Sequence, residues 1–190
     1  MLRLPRSVRD RVQADRLAAP SKYACIVQRA AAIIGSAIFL VIAPGTLAVY
    51  VPWYLTHWHF APALFPIARV VGAALIVAGL PILLDSFARF ALQGLGTPAP
   101  VMPPKRLVVT GLYRYVRNPM YVAVTALIAG QGLLFGSVTV LWYGAIVWAG
   151  FFLFVVVYEE PVLGEQFGDE YRRYRANVRR WLPRITPWRG

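Results

Sequence analysis

Two short stretches of this sequence carry side chains suited to chemistry, and they stand at the two ends of one long apolar run. In the first, Arg114 and Arg117 precede Asn118-Pro119-Met120-Tyr121. Asn favours a helix N-cap and Pro the first helical position, so a helix is predicted to begin here. Its free amides and dipole, with two guanidinium groups just outside, suit a carboxylate or a phosphate. Anchoring to lipid headgroups would use the same residues. In the second stretch, Tyr158-Glu159-Glu160-Pro161 ends the run. Two adjacent carboxylates at the edge of hydrocarbon repel each other and lose solvation, which requires a cationic or polar partner. A helix end in water is the plainer account. Because the two stretches open and close the same segment, the Arg and Glu clusters are expected at one depth and near each other, and that convergence favours a site.

The elements that must position them are membrane helices. The chain of 190 residues is 58% hydrophobic with a mean hydropathy of +0.56, too apolar for an ordinary soluble surface. Residues 30–55 carry no charge, with Pro44-Gly45 as a kink near the middle. Residues 67–90 are apolar except for Arg69 and the Asp85/Arg89 pair near the ends, side chains that can snorkel. Residues 119–158 carry no charge over a length too great for one crossing, and Gly136-Ser137 is the predicted turn of a tight hairpin. The expected fold is an all-α, multi-pass membrane helix bundle of about four transmembrane helices.

Charge orients it. Nineteen of the twenty Lys and Arg residues and all eight acidic residues fall on one side of a four-helix arrangement, with Arg69 alone opposite. Lys and Arg gather on the cytoplasmic side of short loops. Both termini and the 90–118 loop are therefore expected in the cytoplasm, and a chain this compact suggests a bacterial inner membrane. Three parts follow: a basic arm over 1–29, the first two transmembrane helices over 30–92, and a core over 93–190 comprising the inner loop, the hairpin 119–158 and a C-terminal segment. The net charge of +12 is interleaved with apolar anchors along the membrane-flanking segments. Membrane lipids are its expected partners, and nucleic acid is not.

The remaining features are read more plainly. Cys25 stands alone, which rules out an internal disulfide or a Cys-based metal cluster. No cleavage site follows the basic N-terminus, so the first helix is expected to remain as an anchor. His57 and His59 sit among Trp53, Tyr54, Trp58 and Phe60 without a further His or a carboxylate on that side. They read as an aromatic interfacial belt, and no metal is expected. The Gly and Pro residues of 93–104 forbid a continuous helix. Beyond Pro161, Leu163, Phe167, Tyr171, Tyr174 and Val178 recur on one helical stripe. That predicts an amphipathic cytoplasmic helix lying on the membrane or over the site, its end anchored by Trp181 and Leu182-Pro183.

In this order the pieces resemble the isoprenylcysteine carboxyl methyltransferase family and the related phospholipid methyltransferases. The family's Gly-x-Tyr-x-x-x-Arg-His-Pro-x-Tyr segment is matched at 111–121, and its Glu-Glu-x-x-Leu-x-x-x-Phe-Gly-x-x-Tyr-x-x-Tyr segment at 159–174. The resemblance implies an integral membrane methyltransferase whose cofactor, S-adenosyl-L-methionine, binds at the cytoplasmic end of the hairpin, beneath the C-terminal segment. It implies a lipid-like acceptor bearing a carboxylate or an amine. Carried over residue by residue, the cofactor site would comprise Gly111, Tyr113, Arg117, Asn118, Pro119, Tyr121, Tyr158, Glu159 and Glu160, with Arg117, Glu159 and Glu160 in the catalytic role. Arg117 and the first amides of the third helix would take the cofactor's carboxylate. Glu159 and Glu160 would accept from ribose hydroxyls or the ammonium, and Tyr113, Tyr121 and Tyr158 would lie near the sulfonium. Asn118 stands where the family has His, so capping and hydrogen bonding carry over while imidazole charge does not. No Arg lies between Phe154 and Tyr158, which speaks against a prenylcysteine acceptor.

Two rivals use the same scaffold. The steroid 5α-reductase-like group is similar in its C-terminal membrane domain but uses NADPH, and its comparable segment runs Asn-Tyr-x-Gly-Glu, whereas this chain has Met120-Tyr121-Val122-Ala123-Val124. A non-catalytic membrane subunit or small transporter would normally place polar groups at the midplane, where Gln131 is the main exception to an apolar hairpin.

Overall fold

The structure is a computed structural model that describes residues 22–94 and 106–190; the basic arm to residue 21 and the Gly/Pro-rich stretch 95–105 lie outside it. Among the described residues the chain is all-helical. Helix α1 (Lys22–Gly45) runs through a wider turn at Thr46–Tyr50 into α2 (Val51–Thr56). Helix α3 (Ala68–Arg89) ends in a similar wide turn, Phe90–Gly94. Helices α4 (Pro119–Phe135) and α5 (Val138–Phe154) form the hairpin. A third wide turn, Val155–Glu159, carries α5 straight into α6 (Glu160–Asn177). Three of these helical runs are long and apolar enough to cross a bilayer, and α4, with 17 residues, is a shorter apolar helix. At 1.5 Å per residue α4 spans about 26 Å, near the thickness of the hydrocarbon. Ile42, Val77, Ile146 and Val157 are all exposed, as apolar side chains facing lipid must be.

Small residues set the helix spacing. Gly72 of α3 lies against Gly130 of α4, where a Cβ would come within 2.6 Å of the Gly130 carbonyl. Lipid tails are as apolar as Leu, so close backbone approach of this kind is what holds membrane helices together. The core follows the same contact, with Leu83, Phe87, Val124, Leu127 and the fully buried Ile128 between α3, α4 and α5.

Proline explains the break in the first crossing. The expected kink at Pro44-Gly45 is realised just downstream, as the wide turn Thr46–Tyr50. Pro52 offers no amide proton to the carbonyls one turn back. Those carbonyls take side-chain donors from the hairpin instead: Gln131 Nε2 donates to Ala48 O at 2.6 Å and the Tyr143 hydroxyl to Leu47 O at 3.0 Å. Gln131 thus satisfies backbone within the bundle.

The hairpin turns at Gly136, which has a φ of 71°, a conformation that favours glycine. Ser137 caps α5 by accepting from the Val140 amide at 3.3 Å. The outer loop closes over this tip, with the Ala61 amide on Phe135 O at 2.9 Å and Phe60 against Phe135. At the other end α6 breaks at Gly168 (φ 51°). Its expected apolar stripe is buried on protein: Tyr171, Tyr174 and Val178 pack with Leu163, Phe167, Leu107, Val109 and Trp188. The tail then folds back along 113–118, with backbone bonds from Arg117 N to Arg179 O, Arg184 N to Tyr115 O and Trp188 N to Arg114 O at 2.9–3.0 Å.

Candidate active site

The two segments singled out in the sequence meet at the inner end of the hairpin. Tyr121, in the first turn of α4, donates its hydroxyl to Glu159 Oε2 at 2.7 Å, and its ring lies 4.8 Å from that of Phe151. Arg117 reaches Glu160 Oε1 at 3.2 Å, with side-chain exposures of 9% and 6%, and also donates to the Tyr171 hydroxyl at 3.2 Å. Convergence at one depth is therefore what the fold delivers.

The neighbouring carboxylates are treated differently. Glu160 receives a two-pronged bond from Arg180, Nε to Oε1 at 2.6 Å and Nη2 to Oε2 at 2.9 Å, and has Arg175 at 3.8 Å. Such a planar fork is among the strongest arrangements a carboxylate can accept. Burial pushes the Glu160 carboxyl up, but the Arg180 bonds and the charges of Arg117, Arg180 and Arg175 outweigh it and hold the group below its usual range. Arg180 is raised in return, first by its bond to Glu160. Glu159 is half-buried and has no ion pair among the described residues; its hydrogen-bond partner is Tyr121.

The other expected site residues divide in the same way. Tyr113 is buried, its carbonyl accepting from the Tyr174 hydroxyl at 2.7 Å, and burial raises its phenol well above the usual value despite a hydrogen bond with Ser86. Pro119 sits fully buried at the helix start. Asn118 occupies the N-cap position but makes no side-chain cap, because its Nδ2 donates to Arg180 O at 3.2 Å in the returning tail. Gly111 has a φ of 53°, and its bare face is filled by the Arg89 guanidinium. Tyr158 does not join the others: it is 45% exposed, its ring tilted against that of Phe154 at 5.2 Å.

Arg180, Tyr171, Ser86 and the Asp85/Arg89 pair were not singled out from the sequence. Arg180 is one of several tail arginines, and only the fold-back selects it. Tyr171 was legible as part of the apolar stripe but not as a hydrogen-bond partner.

The phospholipid methyltransferase family matches residues 67–170, more than half of the chain. The chain belongs to that family. An 80-residue stretch of the chain is 38% identical to Protein-S-isoprenylcysteine O-methyltransferase of Schizosaccharomyces pombe, covering 42% of this chain and 34% of that protein. A 94-residue stretch is 34% identical to Methanethiol S-methyltransferase 1 of Bradyrhizobium diazoefficiens, covering 45% and 28%. A further 50 residues are 46% identical to an uncharacterized protein of Haemophilus influenzae, covering 22% and 79%. The matched part of the chain thus spans about a third of the length of the two named enzymes. No solved structure matches. The match covers the first motif, the turn and the second motif as far as residue 170, which bears out the resemblance read from 111–121 and 159–174 and favours the methyltransferases over the reductase reading.

Proposed function

We propose that this membrane methyltransferase uses S-adenosyl-L-methionine and acts at the cytoplasmic face on a lipid-like acceptor carrying a carboxylate or an amine. The observation that carries the proposal is the joining of the two motif segments through Tyr121–Glu159 and Arg117–Glu160 at the inner end of the hairpin. The side chains present suit that cofactor. Arg117 Nε is buried without a hydrogen-bond partner, a donor left over beside the start of α4. Glu159 has no ion pair among the described residues, and the Tyr121 and Phe151 rings beside it offer faces to a cation.

When bound, S-adenosylmethionine supplies a methyl group already activated on a positive sulfur. Glu159 is assigned to hold a ribose hydroxyl or the ammonium, with Tyr121 fixing its orientation. Arg117 is assigned to the carboxylate end. Glu160 is saturated by arginines and acts by holding Arg117 and Arg180 in place. Methyl transfer needs alignment and exclusion of water more than acid–base work, and the Tyr171–Tyr174–Val178 cluster beneath α6 provides a dry cover. Arg117 and Glu160 end the uncharged part of the hairpin, so an amphiphile can approach from the bilayer while the polar donor arrives from water.

Binding of S-adenosylmethionine, compared with NADPH, to the detergent-purified full chain tests this reading, together with transfer of a labelled methyl group into a polar lipid extract. The intact protein is expected to bind the methyl donor and to lose at least about tenfold in affinity as Glu159→Gln. Failure of the intact protein to bind it removes the proposal. Unchanged binding in both Glu159→Gln and Arg117→Ala removes the residue assignment alone.

A further inference from the structure

The inner end of α3 carries two charges for which the reading above has no use. Arg89 Nε donates to Asp85 Oδ2 at 2.7 Å, an i,i+4 pair of a kind common on helix surfaces. Its surroundings are less common. Arg89 Nη1 also reaches Thr110 Oγ1 at 3.2 Å, and the guanidinium occupies the space that a side chain at position 111 would need. Gly111 opens the short turn Gly111–Arg114 at a φ of 53°, so both its backbone and its missing Cβ are used by this one contact.

The same turn carries Tyr113. Its ring meets Phe90 edge-on at 5.6 Å, and its hydroxyl bonds Ser86, one residue from Asp85 on α3. From the far side the Tyr174 hydroxyl holds the Tyr113 carbonyl at 2.7 Å. The turn is thus gripped between α3 and α6.

We propose that Asp85 and Arg89 are positioning residues of the methyl-transfer site: Asp85 orients the guanidinium, the guanidinium seats the Gly111 turn, and the seated turn, held through Tyr113 between Phe90 and Tyr174, fixes the start of the segment that carries Arg117 and Tyr121. The proposal rests on the methyltransferase reading above. It makes the third helix part of the site, and it assigns Gly111 to a contact with protein where the resemblance had implied a contact with the cofactor.

Full-length protein in detergent, supplied with labelled S-adenosylmethionine and a polar lipid extract, tests it. Arg89→Ala and Asp85→Asn are expected to lower turnover about tenfold or more while donor affinity stays within about threefold, the signature of misplacement without lost binding. The charge-swapped double variant Asp85→Arg/Arg89→Asp rebuilds the helix pair but cannot rebuild the seat on Gly111, so it is expected to remain as slow as Arg89→Ala. Recovery of turnover in the swap, or turnover within twofold of the intact protein in Arg89→Ala, overturns the proposal. A second measurement needs no activity. Gly111→Ala is expected to lower the melting temperature more in the intact background than in the Arg89→Ala background, where the strain of the positive φ remains but the guanidinium it would strike has gone. Additive losses overturn the seat. An intact protein that transfers no methyl group, with the coupled losses still present, removes the methyltransferase reading and leaves the seat standing.

Discussion

The two ends of the α4–α5 hairpin close in opposite ways. At the outer tip the connection is made by backbone and apolar groups: Gly136 in the left-handed region, the Ser137 cap, the Ala61 amide on Phe135 O, and Phe60 on Phe135. At the inner end the hairpin is closed by polar and charged side chains, three arginines around Glu160 and the neutral Tyr121 hydroxyl on Glu159. A hairpin needs only the first kind of closure. Burying charge costs solvation, and a buried ion pair is poor evidence for stability. The inner arrangement is therefore explained by what it holds in place.

That contrast can be broken at several points, beginning with the largest effect. Glu160→Ala leaves Arg117 and Arg180 without their buried partner and is expected to lower stability by about 3 kcal/mol and to abolish methyl transfer, read by thermal melting in detergent and by labelled methyl transfer. At the outer tip Gly136→Val forces a β-branched residue into the left-handed region against Pro62 O, costing about 2 kcal/mol, with the activity of the surviving folded fraction unchanged. Gln131→Leu leaves the Ala48 carbonyl unpaired, a loss of about 1 kcal/mol in the same melting experiment.

Acid gives a graded version of the first test. The folded state holds the Glu160 carboxyl below its ordinary value, so its stabilising contribution is complete above about pH 4.3. It is lost as pH falls through the depressed folded value. Melting temperature should decline with acid in that range, and less steeply in Glu160→Gln. The smallest effect expected is Ser137→Ala, about 1 kcal/mol or less from loss of one cap, with no change in methyl transfer.

Much of this was legible in the sequence because hydrocarbon leaves few options. The uncharged runs marked the crossings, Gly136-Ser137 the turn, and Asn118-Pro119 the start of α4. The facing motifs marked the site, since a hairpin must bring its two inner ends together. What was not legible depends on contacts between distant segments. Asn118 is at the N-cap position, yet its amide serves the returning tail, a partner that local pattern cannot name. The stripe from Leu163 to Val178 has helical spacing throughout, so periodicity concealed the break at Gly168. Pro161 was read as a helix end, whereas one turn of wider helix lets α5 continue past it, proline being tolerated in the first turn of α6. Arg89 looked like a snorkelling end group because nothing in its own helix discloses the empty side of Gly111.

Pro52 has a reach beyond its own helix. By withholding one proton it leaves two carbonyls exposed at a fixed height in the first crossing, and the hairpin carries two donors, Gln131 and Tyr143, at the matching height. In a medium without water the two carbonyls depend on those donors, so the pairs act as a depth gauge. The first helix cannot slide along the hairpin by a turn without breaking both bonds. The segment before residue 67, outside the family match, is in this way keyed to the core it precedes.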